Sequence, residues 1–380
     1  MTQTQLFTES PALAEEDPAF LSEQLVTYLG NKRALLGFIE SALLAIQERT
    51  GGSRISIFDP FTGSGATARL FKRFAHTLIV NDLEDYTVPI SECYIAGMND
   101  TVRSEVRRWN LRINQTLEDP ASLEEGFITD MYAPENDERI RRGERVFYTS
   151  INARRIDTAR RMIAEAPQEL QAFLLAPLLS EASIHANTAG VFKGFYKDRE
   201  TGIGKFGGTG EHALERICGR VTVPFPVQSL FQSEVTVLQD DANKVVRRMK
   251  PVDLTYVDPP YNQHPYGSNY FMLNLITNYE RPTDVSRVSG IPSNWNRSRY
   301  NKRQKARTAF WDLISRLDTK YILVSYNSEG FIAPEDIIDM LQRLGHLEVF
   351  EREYNTFRGC RNLASRPVYV NEFLFLVEVK

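Results

Sequence analysis

The most constraining feature of this chain is a strand-like run that leads without interruption into two prolines, Asp253-Leu254-Thr255-Tyr256-Val257 and then Asp258-Pro259-Pro260-Tyr261. Each proline fixes its own φ and biases the residue before it away from helix, so the run must end in a rigid, extended turn. An acidic side chain and a backbone carbonyl are thereby held at the tip of a strand.

The remaining elements say what kind of sheet that strand enters. Apolar residues at Leu36, Ile39, Leu43 and Ile46 recur at helical spacing and stop at Gly51-Gly52. Residues 54–58 read as a strand ending in Asp59-Pro60, 67–74 as a helix and 77–80 as a second strand, the opening of an α/β unit with parallel strands. Further strands are expected at 235–238, 254–257, 321–324 and 372–379. Between them, roughly 100–225 changes character: it carries an arginine cluster (Arg139, Arg141, Arg142, Arg145, Arg154, Arg155, Arg160, Arg161), a helical stretch at 169–179 and a glycine-rich loop or hairpin at 202–210. The expectation is an α/β, Rossmann-like domain in two pieces, 21–100 and 226–380. A mainly helical module at 101–225 interrupts it, and residues 1–20 form a flexible leader.

Composition narrows the function. With 42% hydrophobic and 25% charged residues the chain is an ordinary globular one. No apolar stretch approaches the roughly 20 residues that cross a bilayer, and Met1-Thr2-Gln3-Thr4-Gln5 lacks the features of a signal peptide, so a cytoplasmic protein is expected. Cys93, Cys218 and Cys360 stand far apart and the five histidines show no ligand spacing, so neither a disulfide framework nor a metal site is expected. The net charge of −4 speaks weakly against nucleic acid, but cations cluster locally, again at Arg297, Arg299, Lys302, Arg303, Lys305 and Arg307.

Phe58-Asp59-Pro60-Phe61-Thr62-Gly63-Ser64-Gly65 lies between an expected strand and helix, where glycines let the backbone approach a nucleoside cofactor. A phosphate-cradling loop is disfavoured, because Gly65 is followed by Ala66-Thr67 rather than Lys-Ser/Thr. About 20 residues beyond the glycines, Asp82 ends the second strand and is placed to accept hydrogen bonds from ribose hydroxyls. Glu84 is a nearby rival, and capping of the next helix is the structural alternative for Asp82.

The stiff acidic turn suits one chemistry in particular. An exocyclic amine such as adenine's is a poor nucleophile because its lone pair is delocalised. A carboxylate (Asp258) and a carbonyl (Pro259) that accept its hydrogens would draw the nitrogen toward tetrahedral geometry and aim it at a sulfonium methyl, with Pro260 stiffening the turn. Tyr261 can stack on the extruded base, a contact worth on the order of 1–3 kcal/mol.

At this point the sequence resembles the adenine-specific DNA methyltransferases in which the cofactor motif precedes the catalytic one, the group that includes the Dam methylases. Tyr28-Leu29-Gly30-Asn31-Lys32 is similar to the family's N-terminal Tyr-x-Gly-x-Lys motif, with Asn31 where Dam-type sequences carry a second glycine. Phe58 to Gly65 is similar to its cofactor loop and Asp258 to Tyr261 to its catalytic tetrapeptide. The resemblance implies a Rossmann-like, S-adenosylmethionine-dependent methyltransferase sheet. It implies cofactor contacts from Tyr28, Gly30, Lys32, Asp59, Phe61, Gly63, Gly65, Asp82 and Asp258, and catalysis by Asp258, Pro259, Pro260 and Tyr261. In the insertion, residues 187–197 are similar to a family segment near bound DNA, which points to Asn187, Lys193, Gly194, Tyr196 and Lys197. Lys193 replaces the family's Asn and Lys197 its Arg, which leaves the base contact open and keeps the attraction for phosphate. Residues 296–300, 325–328 and 354–362 resemble modification methylases that accompany type IIS restriction enzymes, which implies a cognate endonuclease acting on the same site.

With duplex DNA as the implied partner, Arg297, Arg299, Lys302 and Arg303 become candidates for gripping phosphates. Cytosine-C5 methylation requires a nucleophilic cysteine, usually after proline. Cys93, Cys218 and Cys360 follow Glu92, Ile217 and Gly359 instead. Methylation of the cytosine N4 amine shares the amine chemistry and stays open, as does a DNA-binding protein with a vestigial cofactor site.

Overall fold

A computed structural model describes residues 15–27, 30, 32–208, 212–355 and 369–380. Tyr28, most of the leader and residues 356–362 of the last motif lie outside the described residues. One sheet organises the molecule. Its strands are β1 (Ile55–Asp59), β2 (Ala75–Asp82), β3 (Glu234–Gln239), β4 (Val252–Val257), β5 (Thr319–Asn327), β6 (Gly345–Asn355) and β7 (Tyr369–Val379), in the order β3-β2-β1-β4-β5-β7-β6. The first five run parallel, and β7 is antiparallel to both β5 and β6.

Burial explains which strands were legible. Ile57 and Leu254, paired in register, and Leu78 are fully buried, as expected of inner parallel strands covered by helices on both faces. The edge strand β6 was not foreseen. Its sequence interleaves Glu348, Glu351, Arg352 and Glu353 with apolar residues, the charged pattern of a solvated edge that resists further pairing.

Helices cover both faces: α1 (Leu36–Arg49), α2 (Ala66–Phe74), α3 (Asp100–Glu118), α4 (Ser150–Glu165), α5 (Gln168–Ile184), α6 (Phe271–Asn278), α7 (Arg303–Ile314) and α8 (Pro334–Gln342). Helix α1 buries Ile39, Leu43 and Ile46, the side its spacing marks as apolar. The long stretch between β2 and β3 is mainly helical, and α4 is capped by Thr149, whose side chain accepts from the Asn152 amide. Leu174 and Leu178 of α5 join Ile57, Leu78 and Leu254 in one continuous apolar cluster. On the opposite face Phe310 and Leu313 of α7 and Ile337 and Leu341 of α8 pack with Val257, Ile322 and Val324. The result is a three-layer α/β architecture.

The arginine cluster of the insertion serves largely as internal stitching. Arg155 is buried, donating to the carbonyls of Val221 (2.6 Å) and Leu117 (2.7 Å). Arg160 donates to the carbonyls of Ile276 and Thr277, Arg154 to that of Leu123, and Arg161 pairs with Glu124.

Candidate active site

The sheet order reverses between β1 and β4: β2 and β3 extend to one side, β5, β7 and β6 to the other. Ligands of doubly wound sheets bind at the carboxyl ends of the strands at this switch point. Both sequence motifs arrive there. The loop after β1 brings Phe61, Thr62, Gly63 and Ser64 to a cleft, and the turn after β4 brings Asp258, Pro259, Pro260 and Tyr261 to the same one. The ends of β2 and β3 add Asp82, Glu84, Asp240 and Asp241, and a segment before α7 closes the rim with Asn296, Ser298, Tyr300 and Asn301.

Asp258 sits deep in this cleft, its side chain 17% exposed, with Lys32 Nζ 3.1 Å from Oδ1. Burial pushes the Asp258 carboxyl up, and the charge and hydrogen bond of Lys32 pull against it, leaving it at about 6. Lys32 is 4% exposed and comes from a short 3-10 turn, Lys32–Leu35. Burial pulls its ammonium down, but Asp258 and Glu372 more than offset this and hold it well above the ordinary lysine value. Tyr261 lies edge-on to Tyr326, with ring centroids 6.0 Å apart, and Lys32 Nζ is 5.6 Å from its centroid, so the aromatic ring has a fixed seat beside the carboxylate.

The two carboxylates that the sequence offers for a ribose have different surroundings. Asp82 Oδ2 accepts from the Gly63 amide (2.8 Å), and Oδ1 from the amides of Leu83 (2.7 Å) and Glu84 (3.0 Å). It clamps the glycine loop, whose Gly63 has φ 55°. Burial nevertheless raises the Asp82 carboxyl above its ordinary range. Glu84 is buried and accepts from Asn274 Nδ2 at 2.8 Å, and burial pushes its carboxyl up to about 8.

Of the sequence-derived cofactor residues, Gly30, Lys32, Phe61, Gly63, Asp82 and Asp258 line the cleft. Asp59 and Gly65 do not. Asp59 is fully buried beneath the loop, holding the Phe61 amide at 3.2 Å. Gly65 (φ 77°) starts α2 and backs onto Ile90 and Ile95. Asp240 and Asp241 were missed, although their signal is the one that marked Asp82: acidic residues directly after a strand.

The expected DNA contacts divide in the same way. Asn187 is completely buried: its Nδ2 donates to the carbonyls of Val146 and Lys205, both at 2.8 Å, and its Oδ1 accepts from the Gly207 amide. It staples a loop and has no surface to offer DNA. Lys193, Gly194 and Lys197 are exposed and Tyr196 is half-buried. This segment is tied to the region after the catalytic turn, since the Phe192 amide donates to the Asn269 carbonyl at 2.7 Å. Arg297, Lys302 and Arg303 are exposed, at and just beyond the segment that rims the cleft, Arg297 over the Trp295 ring and Arg303 over Phe331. Arg299 pairs with Asp241 at 3.1 Å.

A seven-stranded sheet with an antiparallel seventh strand, a glycine loop after β1 and an acidic turn after β4 define the Rossmann-like methyltransferases. Within that class the chain belongs to the D12 class N6 adenine-specific DNA methyltransferases, whose sequence profile matches residues 28–340. It is 28% identical to the Type II methyltransferase M.CviAII of Paramecium bursaria Chlorella virus 1, over 93% of this chain and 99% of that one. It is 27% identical to the Type II methyltransferase M.NlaIII of Neisseria lactamica, with the same coverage of both. The Type II methyltransferase M.FokI of Planomicrobium okeanokoites is 24% identical over 92% of this chain, which spans 52% of that protein. The reaction is therefore methyl transfer to the N6 amino group of adenine in DNA, and the cytosine reading gives way. Among the described residues no helix is long and apolar enough to cross a membrane.

Proposed function

We propose that the cleft binds S-adenosylmethionine beside an adenine extruded from duplex DNA, and that Asp258 and the Pro259 carbonyl accept the hydrogens of its amino group. The observation that carries this reading is the company Asp258 keeps. Its carboxylate shares one cleft with the glycine loop and with Asp82, Glu84, Asp240 and Asp241. Among the described lining residues the single basic side chain is Lys32, which is already engaged by two carboxylates. Such a lining offers a polyphosphate no free cation and suits a nucleoside with ribose hydroxyls. With Asp82 committed to backbone amides, Glu84 is the better placed acceptor for the ribose.

S-adenosylmethionine, when bound, supplies an electrophilic methyl on a positively charged sulfur. The chain does the rest. Asp258 Oδ1 is fixed by Lys32, and Oδ2 with the Pro259 carbonyl orients the amine and then takes the proton it releases. A carboxyl at about 6 is ionised at neutral pH yet basic enough for that task. Tyr261 seats the base by stacking, and the two prolines hold both acceptors so that little reorganisation remains at the transition state.

Residues 101–225 serve as the target-recognition module in this reading, with Lys193 and Lys197 on one side and Arg297, Arg299, Lys302 and Arg303 on the other attracting phosphates. The Type II relatives support a role in protecting DNA from a cognate restriction endonuclease acting on the same site. Asp258→Ala should abolish transfer of tritiated methyl to duplex DNA while cofactor affinity, measured by calorimetry, changes by no more than a few-fold. Near-wild-type transfer by that variant would refute the assignment.

A further inference from the structure

We propose that Glu372 is a positioning residue for methyl transfer: from β7 it shares the Lys32 ammonium with Asp258, so that the catalytic carboxylate is held without being neutralised. This rests on the proposed role of Asp258. Glu372 directly faces Asn327 across the β5–β7 pairing. Asn327 Nδ2 donates to its Oε1 at 2.8 Å, and both side chains are buried. The second oxygen, Oε2, has no hydrogen-bond partner among the described residues, and it lies 3.9 Å from Lys32 Nζ. A buried carboxylate oxygen left without a hydrogen bond is costly unless a charge faces it. Here that charge is the lysine which also holds Asp258 Oδ1 at 3.1 Å.

The consequence follows from counting charge. One buried ammonium serves two carboxylates, so the cluster keeps one negative charge in excess when both are ionised. Positive charge builds on the adenine amino nitrogen as its lone pair is committed to the methyl. A one-to-one pair of Lys32 and Asp258 would offer that nitrogen little field, whereas the three-membered cluster stabilises it. The same excess makes Asp258 a better proton acceptor, since Glu372 raises its carboxyl. The other titratable groups facing Asp258 are Asp59 from β1, Tyr256 from β4, and Tyr266 beyond the turn, all of which burial holds above their ordinary values.

The test is the pH profile of kcat/KM for Glu372→Gln in the full-length enzyme, which removes the charge and keeps an acceptor for Asn327. The acidic limb should move to lower pH by about half a unit to one unit, and kcat at neutral pH should fall about tenfold, with cofactor KM and DNA affinity within about threefold. In Lys32→Met/Glu372→Gln the stronger, opposing pull of Lys32 on Asp258 is gone as well, and the limb should move above its wild-type position but stay below that of Lys32→Met alone. If Glu372→Gln yields no folded protein, Glu372→Asp retracts the carboxylate from Lys32, and the limb should move the same way by less. A limb that stays in place in the folded variant overturns the proposal, as does an unchanged kcat. Because Asp258→Ala tests the catalytic assignment by itself, an inactive Asp258→Ala beside an unshifted Glu372→Gln would refute the role of Glu372 alone.

Discussion

An ionised carboxylate can accept both a hydrogen bond and a proton from an amine, whereas a protonated one has lost that capacity, so the charge state of Asp258 governs the rate. With its carboxyl at about 6, kcat/KM should fall about tenfold per pH unit on the acid side of that value. Lys32 pulls the Asp258 carboxyl down, so Lys32→Met should move the limb to higher pH; a limb at the wild-type position would show that the limb belongs to another group. Asn187 carries a prediction of the opposite kind. Its side chain makes three hydrogen bonds to backbone groups, two of them buried. Asn187→Ala should therefore cost about 1–3 kcal/mol in urea unfolding, while the salt dependence of DNA binding stays as it was. The family resemblance placed Asn187 near DNA, and only its burial showed which of these effects to expect.

At the scale of elements, the segment before α7 is both a wall of the cleft and a carrier of cations. Asn296 Nδ2 donates to the Leu83 carbonyl at 3.0 Å, Tyr300 Oη to Asn243 Oδ1 at 2.9 Å, and Asn301 Nδ2 to the Asn262 carbonyl at 2.8 Å. Anchored on that side, the segment carries exposed Arg297 and Lys302, with exposed Arg303 following at the start of α7. Replacing these three with Ala should make the negative slope of log K against log salt shallower by about 0.9 for each phosphate that is no longer neutralised. An unchanged slope in a filter-binding titration would take the segment out of the interface. The sequence marked these cations as a run, but a solvated helix face reads the same way; the hydrogen bonds that fasten the segment to the cleft rim join residues far apart in the chain.

For the whole molecule, the sum of charges misleads. The chain is acidic by four, yet its arginines are divided between internal stitching, as at Arg155, and exposed positions beside the cleft. The cleft itself is acidic. Binding to the native state alone should raise unfolding free energy by about 2.7 kcal/mol at a cofactor concentration one hundred times Kd. In a thermal melt S-adenosylmethionine should thus raise Tm, while a nucleoside triphosphate at equal concentration should leave it in place. A shift with the triphosphate alone would point to another cofactor.

The sequence by itself determined the layered α/β plan, the glycine loop and the acidic proline turn, because hydrophobic periodicity and proline geometry act over a few neighbouring residues. It could not show the edge strand β6, whose charges belong to a solvated position defined only by pairing with β7. Nor could it show that Asp82 clamps the glycine loop while Glu84 meets Asn274, or assign Asp59 and Gly65 to the floor and helix start rather than the cleft wall. Those distinctions, and the meeting of Lys32, Asp258 and Glu372 from three distant stretches of chain, were decided by the tertiary structure. Burial and charge pairing depend on what surrounds a side chain in space, and spacing along the chain carries no record of it.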